Sequence, residues 1–334
     1  MKIKKCIKSL VLLIVFIILI LLLWWWRFLV MPITGAEPVR FILKPGNTAI
    51  RTAYVLENTT YLSHPKAFVL LARLRGDLHR LQGGEYELAP YSTSSDVLNQ
   101  FIQGSDIYHA FIVVNGWTIY QVMAELSSNK NIKHTLNGKS LSEIAKAMGL
   151  NHKTPEGLLF PNTYFYRWGT SDVALLNRAH VAMQAYLKTA WADRAKGLPY
   201  RSPYQALIVA SMIEKETAKT REKPVIAAVI LARLKKWMHL QIDSTVIYGL
   251  MPNYQGGSLS RADLRQDTPF NSYLHYGLPP TPIAMPGPGS IEAALHPAST
   301  QALYYVAKGD GSHVFSNTLK GQQAAIRKYL LKAP

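Results

Sequence analysis

The chain has 334 residues, 49% of them hydrophobic, with one cysteine and a net charge of +17 from 37 Lys and Arg against 20 Asp and Glu. The length accommodates one large or two medium domains, and a lone cysteine excludes a disulfide-stapled scaffold. A cationic body suits a polyanionic neighbour such as anionic lipid, a wall bearing peptide carboxylates, or nucleic acid; with no basic run interleaved with aromatics, nucleic acid is the weakest of the three.

Leu10 to Trp26 is unbroken apolar sequence. As a helix it spans about 26 Å, and Ser9 with Phe28 to Met31 extends it to the thickness of a bilayer core. Lys2, Lys4, Lys5 and Lys8 precede the run and Arg27 follows it. That bias keeps the N-terminus cytoplasmic and places everything after Met31 outside the inner membrane, with Trp24, Trp25 and Trp26 at the outer headgroup level. The alternative is a signal peptide cleaved near Thr34-Gly35-Ala36; the length of the apolar run favours an uncleaved anchor. Cys6 precedes the run, so it is not a lipoprotein cysteine. Without the five flanking cations, 32 remain against 20 acids.

Residues 32 to 40 read as a short linker. Strands are expected at 39–43, 84–88 and 108–114, and helices at 48–58, 64–75 and 95–103. This is a small α+β module, 38–115, without a cluster of acids, His or Cys that would carry chemistry. From 116 onward the pattern turns mostly helical, with helices at 118–127, 141–149, 171–194, 203–218 and 224–238. Residues 240 to 318 are rich in Gly, Pro, Asn and Tyr, and such loops often line a binding groove. A strand at 303–307 and a helix at 320–331 close the chain. The fold class is therefore α+β: a transmembrane helix over 1–31, the small module, and a mostly helical domain over 116–334 with a loop-rich C-terminal part.

Ser202 to Thr217 is the sharpest segment. Ser202 with Gln205 reads as a capping box and Pro203 as the first helical residue. The next turns are nearly all apolar, so the helix is buried, yet it ends in Glu214 and Glu216. Those two lie about 200° apart around the helix and cannot share a face. Glu216 follows Met212 and Ile213 by one turn. An apolar collar there raises its pKa and keeps it protonated, as a general acid requires. For Glu214 a solvated charge is an equal alternative.

Glu214-Lys-Glu-Thr217, Leu240-Gln-Ile-Asp-Ser-Thr-Val-Ile-Tyr-Gly249, Asn271-Ser-Tyr273, Gly277-Leu-Pro-Pro280, Ile283 and Pro286-Gly287 together resemble the YceG-like endolytic murein transglycosylase family. Glu156 to Tyr164 resembles its segment upstream of the catalytic helix, and the small module is similar to its LysM-like subdomain. The resemblance implies cleavage of the MurNAc–GlcNAc bond within peptidoglycan strands, leaving 1,6-anhydroMurNAc ends, with Glu216 as the single acid/base. It also implies a membrane lipid environment, peptidoglycan synthases as neighbours, and no cofactor. One carboxyl suffices because the sugar's own C6 hydroxyl replaces water, and intramolecular attack gains from proximity.

Thr217, Gln241, Asp243, Thr245 and Tyr248 are candidates to bind sugar or support Glu216, with a structural turn under the cleft as the alternative, the stronger one for Asp243. Asn271 and Tyr273 are candidate acetamido contacts or loop packing, and Thr163 and Tyr164 are carried from the upstream segment. His275, His296 and His313 are too scattered for zinc. Asn162, Ser244, Thr281 and Gly321 depart from the family pattern, at positions expected not to touch Glu216. A muramidase would need a second carboxylate, for which Asp243 and Asp263 are candidates. A non-catalytic wall-binding scaffold is the remaining alternative.

Overall fold

A computed structural model describes residues 2–254 and 256–331. Its fold is mixed α+β and mostly helical, with small two-stranded sheets. The chain divides into two compact units, one of residues 1–109 and 165–170, the other of 110–164 and 171–334.

The first unit begins with α1 (Lys2–Val30). Its stretch Cys6–Val30 has a mean hydropathy of 3.2 and is exposed along nearly all its length, Phe28 near its end being buried, so it is not a core helix. It is one N-terminal apolar helix, consistent with a single-pass anchor or a signal sequence. The side chains of Lys2, Lys4 and Lys5 lie outside the described residues. β1 (Val39–Leu43) pairs antiparallel with β2 (Gly84–Leu88), Val39 opposite Leu88. Between them run α2 (Ala49–Thr59) and α3 (Pro65–Leu74), and α4 (Ser94–Gln103) follows. Thr48 caps α2, and Thr93 with Asp96 forms a capping box on α4. Phe41, Leu56, Phe68, Leu88 and Phe101 fill the core, joined by Phe28 from α1 and Ile33.

Residues 32 to 34 are not the free linker expected. Pro32 bridges Thr93, the Ile33 amide donates to Ser92 O, and Thr34 Oγ1 accepts from the Ser92 amide while donating to Ala89 O. Ile33 is apolar and Thr34 has two backbone partners, so both bury on the module.

Further along the chain, β3 (His109–Val113) and β4 (Asn162–Tyr166) form a two-stranded sheet. In the second unit, α5 (Ile119–Ser128) and α6 (Leu141–Ala147) start on capping boxes, Thr118 with Gln121 and Ser140 with Glu143. α7 (Asp172–Ala192), α8 (Pro203–Glu216) and α9 (Lys223–Lys235) follow. The second core gathers Ala206 to Ala210 and Met212 to Ile213 of α8 with Ile226 and Ile230 of α9 and Ile291, Ala294 and Leu295. Ser202 makes no side-chain cap bond; Gln205 instead accepts from the Arg201 amide at 2.7 Å, so the expected capping box is replaced by a bond one residue earlier.

The loop-rich stretch holds two helices that were not expected, α10 (Asp243–Gly249) and α11 (Pro288–Leu295). Both are short, and α11 buries its apolar face by packing on α8 and α9. β5 (Tyr304–Ala307) pairs antiparallel with β6 (His313–Ser316), and α12 (Leu319–Tyr329) ends the described chain.

Candidate active site

Helix α8 is buried from Ala206 to Ile213 and stops at Glu216, because Thr217 turns to extended backbone at φ −150°. The last residue of a rigid core helix thus presents its side chain at the edge of the core. Ser244 Oγ donates to Glu216 Oε1 at 3.0 Å, and Tyr305 OH donates to Oε2 at 2.9 Å. Both carboxyl oxygens are held, one from the start of α10 and one from β5. Burial raises the Glu216 pKa, opposed by these two hydrogen bonds and reinforced by the nearby Asp243 charge. Ser244 was expected not to touch Glu216. It does so because α10 begins at Asp243 and its first turn faces the end of α8.

The carboxyl opens into a pocket of about 590 Å³ whose wall includes Asp243, Tyr273, Gln241, Arg233, Tyr305 and His313. Tyr273 OH donates to Asp243 Oδ1 at 2.5 Å, so a second carboxylate faces the same space. Arg233 is buried and organises the wall: its Nε donates to Leu303 O at 2.7 Å and its Nη1 to Leu240 O at 2.8 Å, with Gln241 Oε1 at 3.3 Å. Gln241 itself sits at φ +52° and donates its amide to Ser272 O. His313 shares a hydrogen bond through Nδ1 with Glu222 Oε2 at 2.8 Å, and its amide donates to Glu222 Oε1. Burial pushes the Glu222 carboxyl up, but the His313 bonds outweigh it and hold the pKa below the ordinary value.

The other candidates are placed differently. Glu214 is not a solvated charge. It pairs with Lys223 at 3.1 Å and accepts from the Gly287 amide and Ser290 Oγ, tying α8 to α9 and α11. Thr217 is buried, with its hydroxyl 3.4 Å from Glu222 Oε2. Thr245 is fully buried, bonded to Ser272 Oγ and Ile242 O. Asn271 is fully buried and spends its amide on Leu264 O and Gln266 O, so it shapes the loop carrying Tyr273. Tyr248 is buried, and its hydroxyl pKa is raised by that burial and by the Glu156 charge. Tyr164 donates to Phe160 O at 2.6 Å, and Thr163 is exposed on β4; neither lines the Glu216 pocket. Asp263 is partly exposed and accepts from the Ser260 amide and Oγ, outside the pocket.

Tyr305, Arg233, and Glu222 with His313 were missed as site residues. Their signal was a strand, a helix and a lone histidine, and only the pairing of β5 with β6 brings two of them to Glu216. Among the described residues no group of three His, Cys, Asp or Glu is placed to hold a metal.

The buried helix thus ends in a carboxyl held at both oxygens, its pKa raised by burial, beside an open polar pocket. The chain belongs to the YceG-like family, whose model matches residues 41–328. A Bacillus subtilis protein named endolytic murein transglycosylase is 30% identical over 310 residues, 87% of this chain and 85% of that protein. A Streptococcus pneumoniae protein of the same name is 25% identical over 85% of this chain, which spans 57% of that longer relative. The crystal structure of a YceG-like protein from Listeria monocytogenes matches 87% of this chain and 99% of its own, at 25% identity and a TM-score of 0.55.

Proposed function

We propose that the chain is a lytic transglycosylase that cuts the MurNAc–GlcNAc bond within nascent peptidoglycan strands and leaves 1,6-anhydroMurNAc ends. The single observation that carries this reading is Glu216 held at both oxygens with its pKa raised by burial. A protonated Glu216 gives its proton to the leaving glycosidic oxygen as the C1–O bond breaks. The resulting carboxylate then takes the proton of the C6 hydroxyl as that oxygen closes on C1. The carboxyl ends the cycle protonated, so no second base is required. Ser244 and Tyr305 both carry rotatable hydroxyls and can follow the change of protonation.

In this reading residues 1–31 are the cytoplasmic tip and an uncleaved inner-membrane anchor, 38–115 a LysM-like wall-binding module, and 116–334 the catalytic domain outside the membrane. Cutting strands as they emerge would terminate elongation beside the synthases. Asp243 in the Glu216 pocket favours one second reading, a muramidase in which it activates water on the same bond. Digestion of purified glycan strands, with mass spectrometry of the fragments, tests the proposal. Anhydro ends, one water lighter than hydrolysed ends and absent with Glu216→Gln, support it; reducing MurNAc ends favour the muramidase.

A further inference from the structure

Helix α9 closes with the Trp237 amide on Leu234 O at 3.2 Å and the Met238 amide on Arg233 O at 2.9 Å. This Schellman arrangement puts residue 237 at φ +51°, a position glycine usually fills because it lacks a Cβ. Here it is tryptophan, and the residue is 80% exposed. Helix termination asks for no side chain at this point, and burial gives the indole no reason to be there. A strained backbone carrying an exposed aromatic ring therefore calls for a ligand.

The surroundings say which. Trp237 lines a cavity of about 560 Å³ with Tyr200, Tyr204, Pro279 and Pro280, and the exposed Arg201 and Lys235 also border it. Met238 lines both this cavity and the Glu216 pocket, so the two are neighbours along one wall. The connection from Trp237 to Gln241 carries left-handed residues at both ends, each facing one of the two spaces. Tyr276, exposed and stacked on His239 at 3.7 Å, adds a further aromatic face beside it.

We propose that the Trp237 cavity is a distal saccharide subsite for the strand whose scissile bond lies at Glu216. The flat indole packs on the axial C–H face of a pyranose ring, an apolar surface that matches an aromatic face. Arg201 and Lys235 meet carboxylates of the attached peptide stems. Continuity with the Glu216 pocket through Met238 selects a glycan strand over a lipid headgroup or a protein segment, and the cationic rim suits the carboxylates such a strand carries. This inference rests on the function proposed above and adds a determinant of strand length to it.

The test compares the full-length protein and its Trp237→Gly variant on long glycan strands and on a tetrasaccharide of the same repeat. Glycine suits φ +51°, so the variant is expected to fold with unchanged or higher melting temperature. The ratio of kcat/KM for long strands to that for the tetrasaccharide is expected to fall roughly five- to tenfold, mainly through KM. In the Glu216→Gln background, Trp237→Gly is expected to weaken strand binding by a similar factor. An unchanged ratio, or an equal loss on both substrates, overturns the subsite. A variant that binds strands normally but loses affinity for anionic vesicles or for another protein overturns it in favour of that occupant. If the unsubstituted protein cuts neither substrate, the parent reading fails, and the subsite fails with it unless strand binding still depends on Trp237.

Discussion

Tyr305 donates its hydroxyl hydrogen to Glu216 Oε2 across 2.9 Å, joining residues 89 positions apart. The tyrosine stands on β5, and the glutamate ends the buried helix α8. With Ser244 on Oε1, this bond decides both where the carboxyl points and how readily it holds a proton.

Each of those bonds favours the carboxylate and lowers the Glu216 pKa against the upward push of burial. A general acid is lost as pH rises through its pKa, so Glu216 in its proposed role is expected to set the alkaline limb of kcat/KM. Tyr305→Phe removes one downward contribution, and the alkaline limb is expected to move to higher pH by up to about one unit. The same variant frees one side of the carboxyl, and kcat at the optimum is expected to fall about tenfold or more. Ser244→Ala is expected to move the limb in the same direction. A pH–rate profile of the three proteins checks both, and a limb that moves to lower pH would contradict the assignment.

Glu214 and Lys223 form a pair with side chains only 9% and 10% exposed, and Glu214 also holds Gly287 and Ser290. Removing one member leaves the other charge buried and unpaired. Glu214→Ala is expected to cost about 3–5 kcal/mol, measured by denaturant unfolding of the second unit's signal. The folded fraction is expected to retain cleavage. A stable but inactive variant would move Glu214 into the chemistry.

Glu156 is fully buried and accepts from the Ile119 amide at 2.9 Å. Burial raises its pKa from 4.5 to about 8. Below about 4.5 the carboxyl is protonated folded or unfolded, and its contribution to stability is fully present. Between 4.5 and 8 the unfolded chain has released the proton while the folded one keeps it, so stability falls as pH rises. Above about 8 that loss is complete and amounts to a few kcal/mol, an order-of-magnitude figure. Glu156→Gln is expected to flatten this decline while Gln still accepts from Ile119. Denaturant midpoints at about pH 5, 7 and 9 resolve it; an unchanged slope would show that Glu156 is ionised in the fold.

The long periodic elements were legible in the sequence. β1, β2, α2 to α4 and α7 to α9 fall within a few residues of their expected ranges, because their apolar spacing and caps are local signals. Glu216 was legible for the same reason: a carboxylate ending an apolar helix conflicts with its neighbours and marks itself. What surrounds it was not. α10 and α11 are short helices in Gly- and Pro-rich sequence that gain their stability from packing on α8, which no local window contains. Residues 32 to 34 look like a linker by composition, yet Thr34 finds two backbone partners on the segment after β2. Ser244 was expected not to touch Glu216, because the contact exists only once α10 docks on α8.

The central claim is that Glu216 alone carries acid/base work on a glycosidic bond. The most direct measurement is mass spectrometry of fragments released from purified glycan strands by the full-length protein, its Glu216→Gln variant and its Asp243→Asn variant. The account predicts 1,6-anhydroMurNAc ends from the unsubstituted protein, none from Glu216→Gln, and anhydro ends still formed by Asp243→Asn. Reducing MurNAc ends that disappear with Asp243→Asn, or anhydro ends that persist with Glu216→Gln, would contradict it.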